Sequence, residues 1–288
     1  MAGSLEVAVR ATARLGEGPT WDPASGTLLW VDILASEVHR LDPGGADAVV
    51  VRTPQHVGAV KPRTGGGLVV NLRDGVGCYA ADGAFDWLAT WAEDGCRGND
   101  AAVDAAGRLW AGTMRYDEGP GGGRLYRVGP LGEVVTVLPD VTVSNGTGWS
   151  PDGRLMYYVD TPTRRVDVFD VDPDTGLVAR RRPFVDMARA TGFPDGLTVD
   201  ADGAVWVALW DGGAVHRYTP AGVLDRVIEV PAARTTACAF GGSGLGDLYV
   251  TTATAGLDPE RLAAEPLAGS VFVLPGAGSG LPGHAFAG

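Results

Sequence analysis

One short pattern recurs along this chain: an apolar residue, an Asp or Ser, a Gly-bearing turn, then an apolar run suited to a β-strand. It stands at residues 21–30, 103–110, 149–156 and 199–206, with weaker copies at 60–68 and 240–248. With Leu29, Leu68, Leu109, Leu155, Val205 and Leu248 taken as equivalent, the spacings are 39, 41, 46, 50 and 43 residues. A repeat of this length specifies a stacked or radial array, because one unit cannot bury its own apolar face.

Each period has room for four short strands. The turn is followed by an apolar strand (28–33, 68–72, 109–113, 156–159, 205–209, 248–252), then by a strand-and-turn segment such as 38–44, 125–129, 166–170 or 215–220. Pro259–Ala264 is the one stretch of helical character, too short to cover a sheet. Regular turn signals without crossover helices predict an all-β fold, a six-bladed β-propeller of four-stranded antiparallel blades spanning residues 1–288 as one domain. An open β-sandwich would explain the strands but not the repeat. A ring must be sealed where its ends meet, so the alternating segment 5–9 is expected to pair, as an outer strand, with 270–274.

Lys and Arg number 23 against 35 Asp and Glu, a formal net charge of −12. That sign repels phosphate backbones and anionic headgroups, so neither nucleic acid nor a membrane surface is an expected partner. The first residues lack the basic-then-apolar order of a secretory signal, and no stretch approaches the roughly 18 apolar residues of a membrane span. The expectation is a soluble, cytoplasmic protein, monomeric or weakly oligomeric. Cys78, Cys96 and Cys238 form no C-x-x-C pair and read as small buried hydrophobes, with Cys96 the one candidate for reactivity. His39 and His216 fall in outer strands and His284 in the tail, which leaves His56 alone near a channel-facing loop.

Equivalent residues of a propeller surround one central channel. Counting five residues back from each first turn residue gives Glu17, Asn99, Asn145 and Asp195, with Val57 and Thr236 in the weaker copies. Two carboxylates and two amides at one level, without His or Cys, are hard oxygen donors suited to one divalent metal ion. These donors admit calcium, magnesium, manganese, iron(II) or, less typically, zinc. Turn capping is the competing explanation for each residue taken singly. It accounts fully for Asp22, Asp104, Asp152, Asp200 and Asp202, which lie in the hairpins themselves.

Six motifs in order, Leu15-Gly-Glu-Gly-Pro-Thr-Trp21, Arg97-Gly-Asn-Asp100, Ala111-Gly-Thr-Met114, Ser144-Asn-Gly-Thr-Gly-Trp-Ser150, Phe193-Pro-Asp-Gly-Leu-Thr-Val-Asp200 and Cys238-Ala-Phe-Gly-Gly242, resemble the senescence marker protein/gluconolactonase/regucalcin family. The similarity runs on through Gly256-Leu-Asp-Pro-Glu260. The resemblance implies a metal-dependent lactonase that opens sugar lactones to aldonic acids. It implies Glu17, Asn145 and Asp195 as metal ligands, Asp195 as the catalytic acid/base, and Arg97 and Asn99 as substrate contacts. Asp117 falls where that family carries a longer acid that contacts substrate.

Lactone hydrolysis needs a polarised carbonyl, a delivered water and a protonated leaving oxygen. A bound metal serves the first two, and Asp195 is the candidate base. The fixed donors of Arg97 suit ring hydroxyls or the product carboxylate. A Ser–His–Asp mechanism finds no nucleophile elbow. Residues 119–123, Gly-Pro-Gly-Gly-Gly, lack the Lys-Ser/Thr and helix of a phosphate loop and read as a loop over the channel mouth. Segments 78–91 and 117–124 are expected to shape substrate preference. Two rival functions share the metal and fold: hydrolysis of organophosphates or other esters, and calcium binding without catalysis. Arg97 and Asp117 argue against the last, since an ion site alone needs neither.

Overall fold

The structure, a computed structural model, describes residues 3–91 and 93–288. Its strands form six four-stranded antiparallel sheets. The first five follow chain order, from Gly16–Asp22, Thr27–Asp32, Glu37–Leu41 and Asp47–Arg52 to Phe193–Val199, Val205–Trp210, Ala214–Tyr218 and Leu224–Glu229. The sixth joins the two ends of the chain. Thr235–Gly241, Asp247–Thr252 and Val271–Leu274 are completed by Glu6–Val9 as the outermost strand. Glu6 pairs with Val273 and Val7 with Phe272, so the closure expected from the alternating pattern is found. Glu6–Val9 thereby covers the edge that Val271–Leu274 would otherwise expose.

The repeated turn explains its own sequence. Gly26, Gly107, Gly153 and Gly203 lie at φ 67, 75, 69 and 80, and each donates its N–H to the carbonyl of Asp22, Asp104, Ser150 or Asp200 at 2.8 to 2.9 Å. A side chain at that φ would be strained, which is why the pattern carries Gly there. The core lies between blades rather than within them. Trp110, Leu125, Met156, Tyr158 and Phe169 pack the third blade against the fourth, and Trp206, Phe240, Leu248 and Phe272 the fifth against the sixth.

One segment behaves differently from expectation. Residues 78–91 are largely the outer strands of the second blade, Gly75–Tyr79 and Phe85–Thr90, and so shape its periphery rather than a channel mouth. The tail crosses the hairpin face of the ring: Ala201 donates to the Ser279 carbonyl at 2.7 Å and Phe286 to that of Pro62 at 2.9 Å. Pro259–Ala264 is the α-helix of the described residues, and no helix among them is long and apolar enough to cross a membrane.

All six innermost strands lose register at the same level. The breaks fall at Glu17/Thr20, Val57/Ala59, Gly98/Ala101, Ser144/Thr147, Pro194/Leu197 and Thr235/Ala237. A bulge of this kind bends a strand and re-aims its side chains. In five of the six blades the sequence makes it possible by placing Gly or Ala next in line. A Cβ on Gly58, Gly146 or Gly196 would lie 2.3 to 2.7 Å from the neighbouring innermost strand.

Candidate oxygen-donor site in the channel

Glu17, Asn99, Asn145 and Asp195 stand at these bulges, and all four are buried. A polarised hydrogen-bond chain connects three blades. Arg97 Nη1 donates to Asn99 Oδ1 at 2.7 Å and to the Gly98 carbonyl at 3.0 Å. Asn99 Nδ2 donates to Asn145 Oδ1 at 2.8 Å and to the Ser144 carbonyl at 2.9 Å. Asn145 Nδ2 in turn donates to Thr161 Oγ1 at 2.8 Å. The backbone of the Asn99 bulge is pinned from the second blade by Asn71, whose Nδ2 donates to the carbonyls of Asn99 and Gly112 at 2.9 and 2.8 Å.

The carboxylates are less well served. Glu17 Oε2 accepts from the Gly18 N–H at 2.9 Å, while Asp195 Oδ1 is buried without a hydrogen-bond partner. Burial first, then repulsion from Asp100, pushes Glu17 up to about 8, against the Gly18 N–H, Arg97 and Lys61. Asp195 is driven well above the usual carboxylate range by burial, then by Glu17 and Asp100. Desolvation and like charge both disfavour the ionised forms, and the cationic side chains nearby do not offset them.

Asp100 belongs to the same tier and was not singled out from sequence. It occupies the register position that is Gly18, Gly58, Gly146 and Gly196 in other blades, so one more step of the same counting would have found it. Lys61 Nζ donates to Thr20 Oγ1 at 2.7 Å, and burial lowers its pKa against the pull of Asp100 and Glu17. Both line a cavity of about 450 Å³ that runs toward the hairpin face, where Trp149, Phe240 and Leu281 border it.

Arg97 is buried beside these acids rather than paired on a solvated loop. Asp117 is not brought to them. Its side chain is 61% exposed, and both its oxygens are taken by Arg115 at 2.7 and 2.6 Å, with the Gly119 N–H at 2.9 Å. Arg115 thereby holds its carboxyl below the ordinary range. From that turn, Glu118 is the acid whose charge acts on Arg97. Tyr116 shares a 2.8 Å hydrogen bond with His56 Nδ1, which closes the space between two blades. Cys96 is buried, and its thiol is raised by burial and by Glu93, so it is not activated.

The site fits a cation on its own evidence. Its donors are oxygens, one buried carboxylate oxygen has no protein donor, and two acids lie in mutual repulsion. No trio of His, Cys, Asp and Glu is gathered in a metal-holding group among the described residues; the further oxygens of this tier are the amide oxygens of Asn99 and Asn145.

A closed six-bladed ring with an oxygen-lined tier around its channel defines the class of molecule. Within that class, residues 15–254 match the SMP-30/Gluconolactonase/LRE-like region family, and the chain belongs to it. Regucalcin of Danio rerio is 36% identical over 292 residues, covering 99% of this chain and 98% of its own. A Bacillus subtilis (strain 168) protein with the provisional name sugar lactone lactonase YvrE is 36% identical over 272 residues, covering 93% and 92%. The crystal structure of a calcium-binding protein, regucalcin, from Agrobacterium tumefaciens str. C58 superposes with a TM-score of 0.94 at 34% identity, covering 99% of this chain and 97% of that one.

Proposed function

We propose that this chain is a divalent-metal-dependent hydrolase that opens sugar lactones to aldonic acids. The observation that carries the reading is the pair of buried, mutually repelling acids, Glu17 and Asp195, with an unpartnered oxygen on Asp195. Glu17, Asn145 and Asp195 would hold one cation. When bound, that cation supplies a Lewis acid for the lactone carbonyl and acidifies a water. Asp195 offers one oxygen as ligand and the other as base, taking the proton of the attacking water and returning it to the leaving ring oxygen.

The neighbouring residues orient the sugar. Arg97 commits Nη1 to Asn99 and Gly98, and the rest of its fixed fork serves ring hydroxyls or the product carboxylate. Glu118, rather than the Arg115-bound Asp117, is the acid of that turn suited to accept a sugar hydroxyl. The relatives named regucalcin and lactonase support this reading, and the calcium-binding regucalcin of Agrobacterium tumefaciens supports calcium among the candidate ions. The net charge of −12 supports a small-molecule partner rather than nucleic acid or an anionic membrane.

The test is turnover of gluconolactone and xylonolactone against a phosphotriester, each with and without chelator. Chelator-sensitive hydrolysis of the lactones is expected. Preference for the phosphotriester would replace the lactonase with an ester hydrolase, and calcium binding without turnover of any of the three would leave a non-catalytic ion-binding protein.

A further inference from the structure

A side-chain amide can ligate a cation only if its oxygen faces the ion. In Asn145 that orientation is set by neighbours whose donor and acceptor roles leave no choice. Arg97 has donors only, so Asn99 must turn Oδ1 toward it at 2.7 Å and Nδ2 away. The Ser144 carbonyl, an acceptor only, fixes the same orientation by taking Asn99 Nδ2 at 2.9 Å. Asn99 therefore presents N–H to Asn145, which must answer with Oδ1.

The other half of the Asn145 amide then needs an acceptor. Thr161 Oγ1 provides it at 2.8 Å. A hydroxyl could also donate there, but its single proton is committed, since Thr161 Oγ1 donates to the Pro194 carbonyl at 2.9 Å. That carbonyl can only accept. The chain from Arg97 to Pro194 thus runs in one direction, and reversing any amide in it would set donor against donor or acceptor against acceptor.

Thr161 opens the short 3-10 turn Thr161–Thr163 in the fourth blade, and Pro194 directly precedes Asp195 in the fifth. One hydroxyl therefore ties the amide of Asn145 to the backbone that carries Asp195. We propose that Thr161 is a positioning residue for the cation: it holds the Asn145 oxygen toward the ion and fixes its spacing from Asp195. This rests on the metal reading of the site. Partners of this kind orient metal ligands, and their loss weakens metal binding by about 10- to 100-fold.

The test is calorimetric titration of calcium chloride, and separately manganese chloride, into the full chain stripped with chelator, alongside melting in excess chelator. Thr161→Val keeps the shape but removes both hydrogen bonds, and should weaken binding by about 10- to 100-fold. Thr161→Ser keeps the hydroxyl and should bind as the unaltered chain does. If Thr161→Val fails to fold, Thr161→Ala carries the same expectation. A Thr161→Val chain that melts lower in chelator yet binds the ion as the unaltered chain does would overturn the proposal and leave Thr161 a structural residue. Absence of binding to either ion by the unaltered chain would overturn the metal reading itself, and this assignment with it.

Discussion

Asp195 lies within the innermost strand Phe193–Val199 and Asp200 directly follows it; they are 5% and 2% exposed. Asp200 is saturated. Its Oδ1 accepts from the N–H groups of Asp202 and Ala204 at 3.0 and 2.8 Å, and its Oδ2 from Trp206 Nε1 and Arg217 Nε, both at 2.9 Å. Asp195 has an orphaned oxygen and two acids pressing on it. One carboxylate has found its partners within the fold, while the other is left wanting a charge from outside. Burial alone therefore does not mark a functional acid in this ring. A buried carboxylate oxygen left without a partner is the stronger sign.

The sharpest break of this contrast is substitution. Asp195→Asn should lower lactone turnover by about 10²- to 10⁴-fold, the span attributed to a positioned acid or base. The same change removes an unfavourable buried charge, so the metal-free chain should melt no lower than the unaltered one above neutral pH. A large fall in melting temperature would mean that Asp195 is structural after all. Asp200→Ala should do the reverse. Stripping a buried, paired carboxylate from Arg217 and Trp206 costs about 3–5 kcal/mol, read from the denaturant midpoint, while the folded fraction keeps its turnover.

Arg97→Ala refines the contrast by asking what lies beside the unpaired acids. Unpaired recognition groups cost about 1–3 kcal/mol each, so kcat/KM should fall more for a polyhydroxylated lactone than for an unsubstituted one. Divalent affinity should persist, because the Ser144 carbonyl still holds the Asn99 amide. Equal losses on both lactones would assign Arg97 to general electrostatics.

The last contrast is a slope in pH. Glu17 is raised from its ordinary 4.5 to about 8 in the folded chain, so between those values the folded state holds more protons than the unfolded state. Unfolding free energy of the metal-free protein should therefore fall as pH rises through that window. Saturating divalent ion holds the carboxylates ionised and should flatten the slope. A metal-free chain that gains stability from pH 5 to 8 would contradict the assigned burial.

The blades were legible because their signals are local: alternation along short strands, and a Gly demanded by a left-handed turn. The tier of buried oxygen donors was legible because equivalent positions in a ring share a level. The partners of that tier were not. Asn71 reaches the Asn99 and Gly112 carbonyls across 28 and 41 positions, and Thr161 reaches Pro194 across 33; nothing in the local sequence of either residue announces a contact in the next blade. For Asp117 the resemblance gives a position but not a direction, and Arg115, two residues earlier on the same turn, holds the carboxylate. Asp104 and Asp200 were read as turn residues alone, yet they also accept from the indoles of Trp110 and Trp206 at 2.9 Å.

If a cation completes the unpaired acids at the bulges, as we propose, its role can be read directly from gluconolactone hydrolysis in one preparation, first untreated, then with chelator, then with divalent ion restored. Turnover should be lost on chelation and recovered on re-addition. An undiminished rate in a fully chelated sample would contradict a catalytic cation.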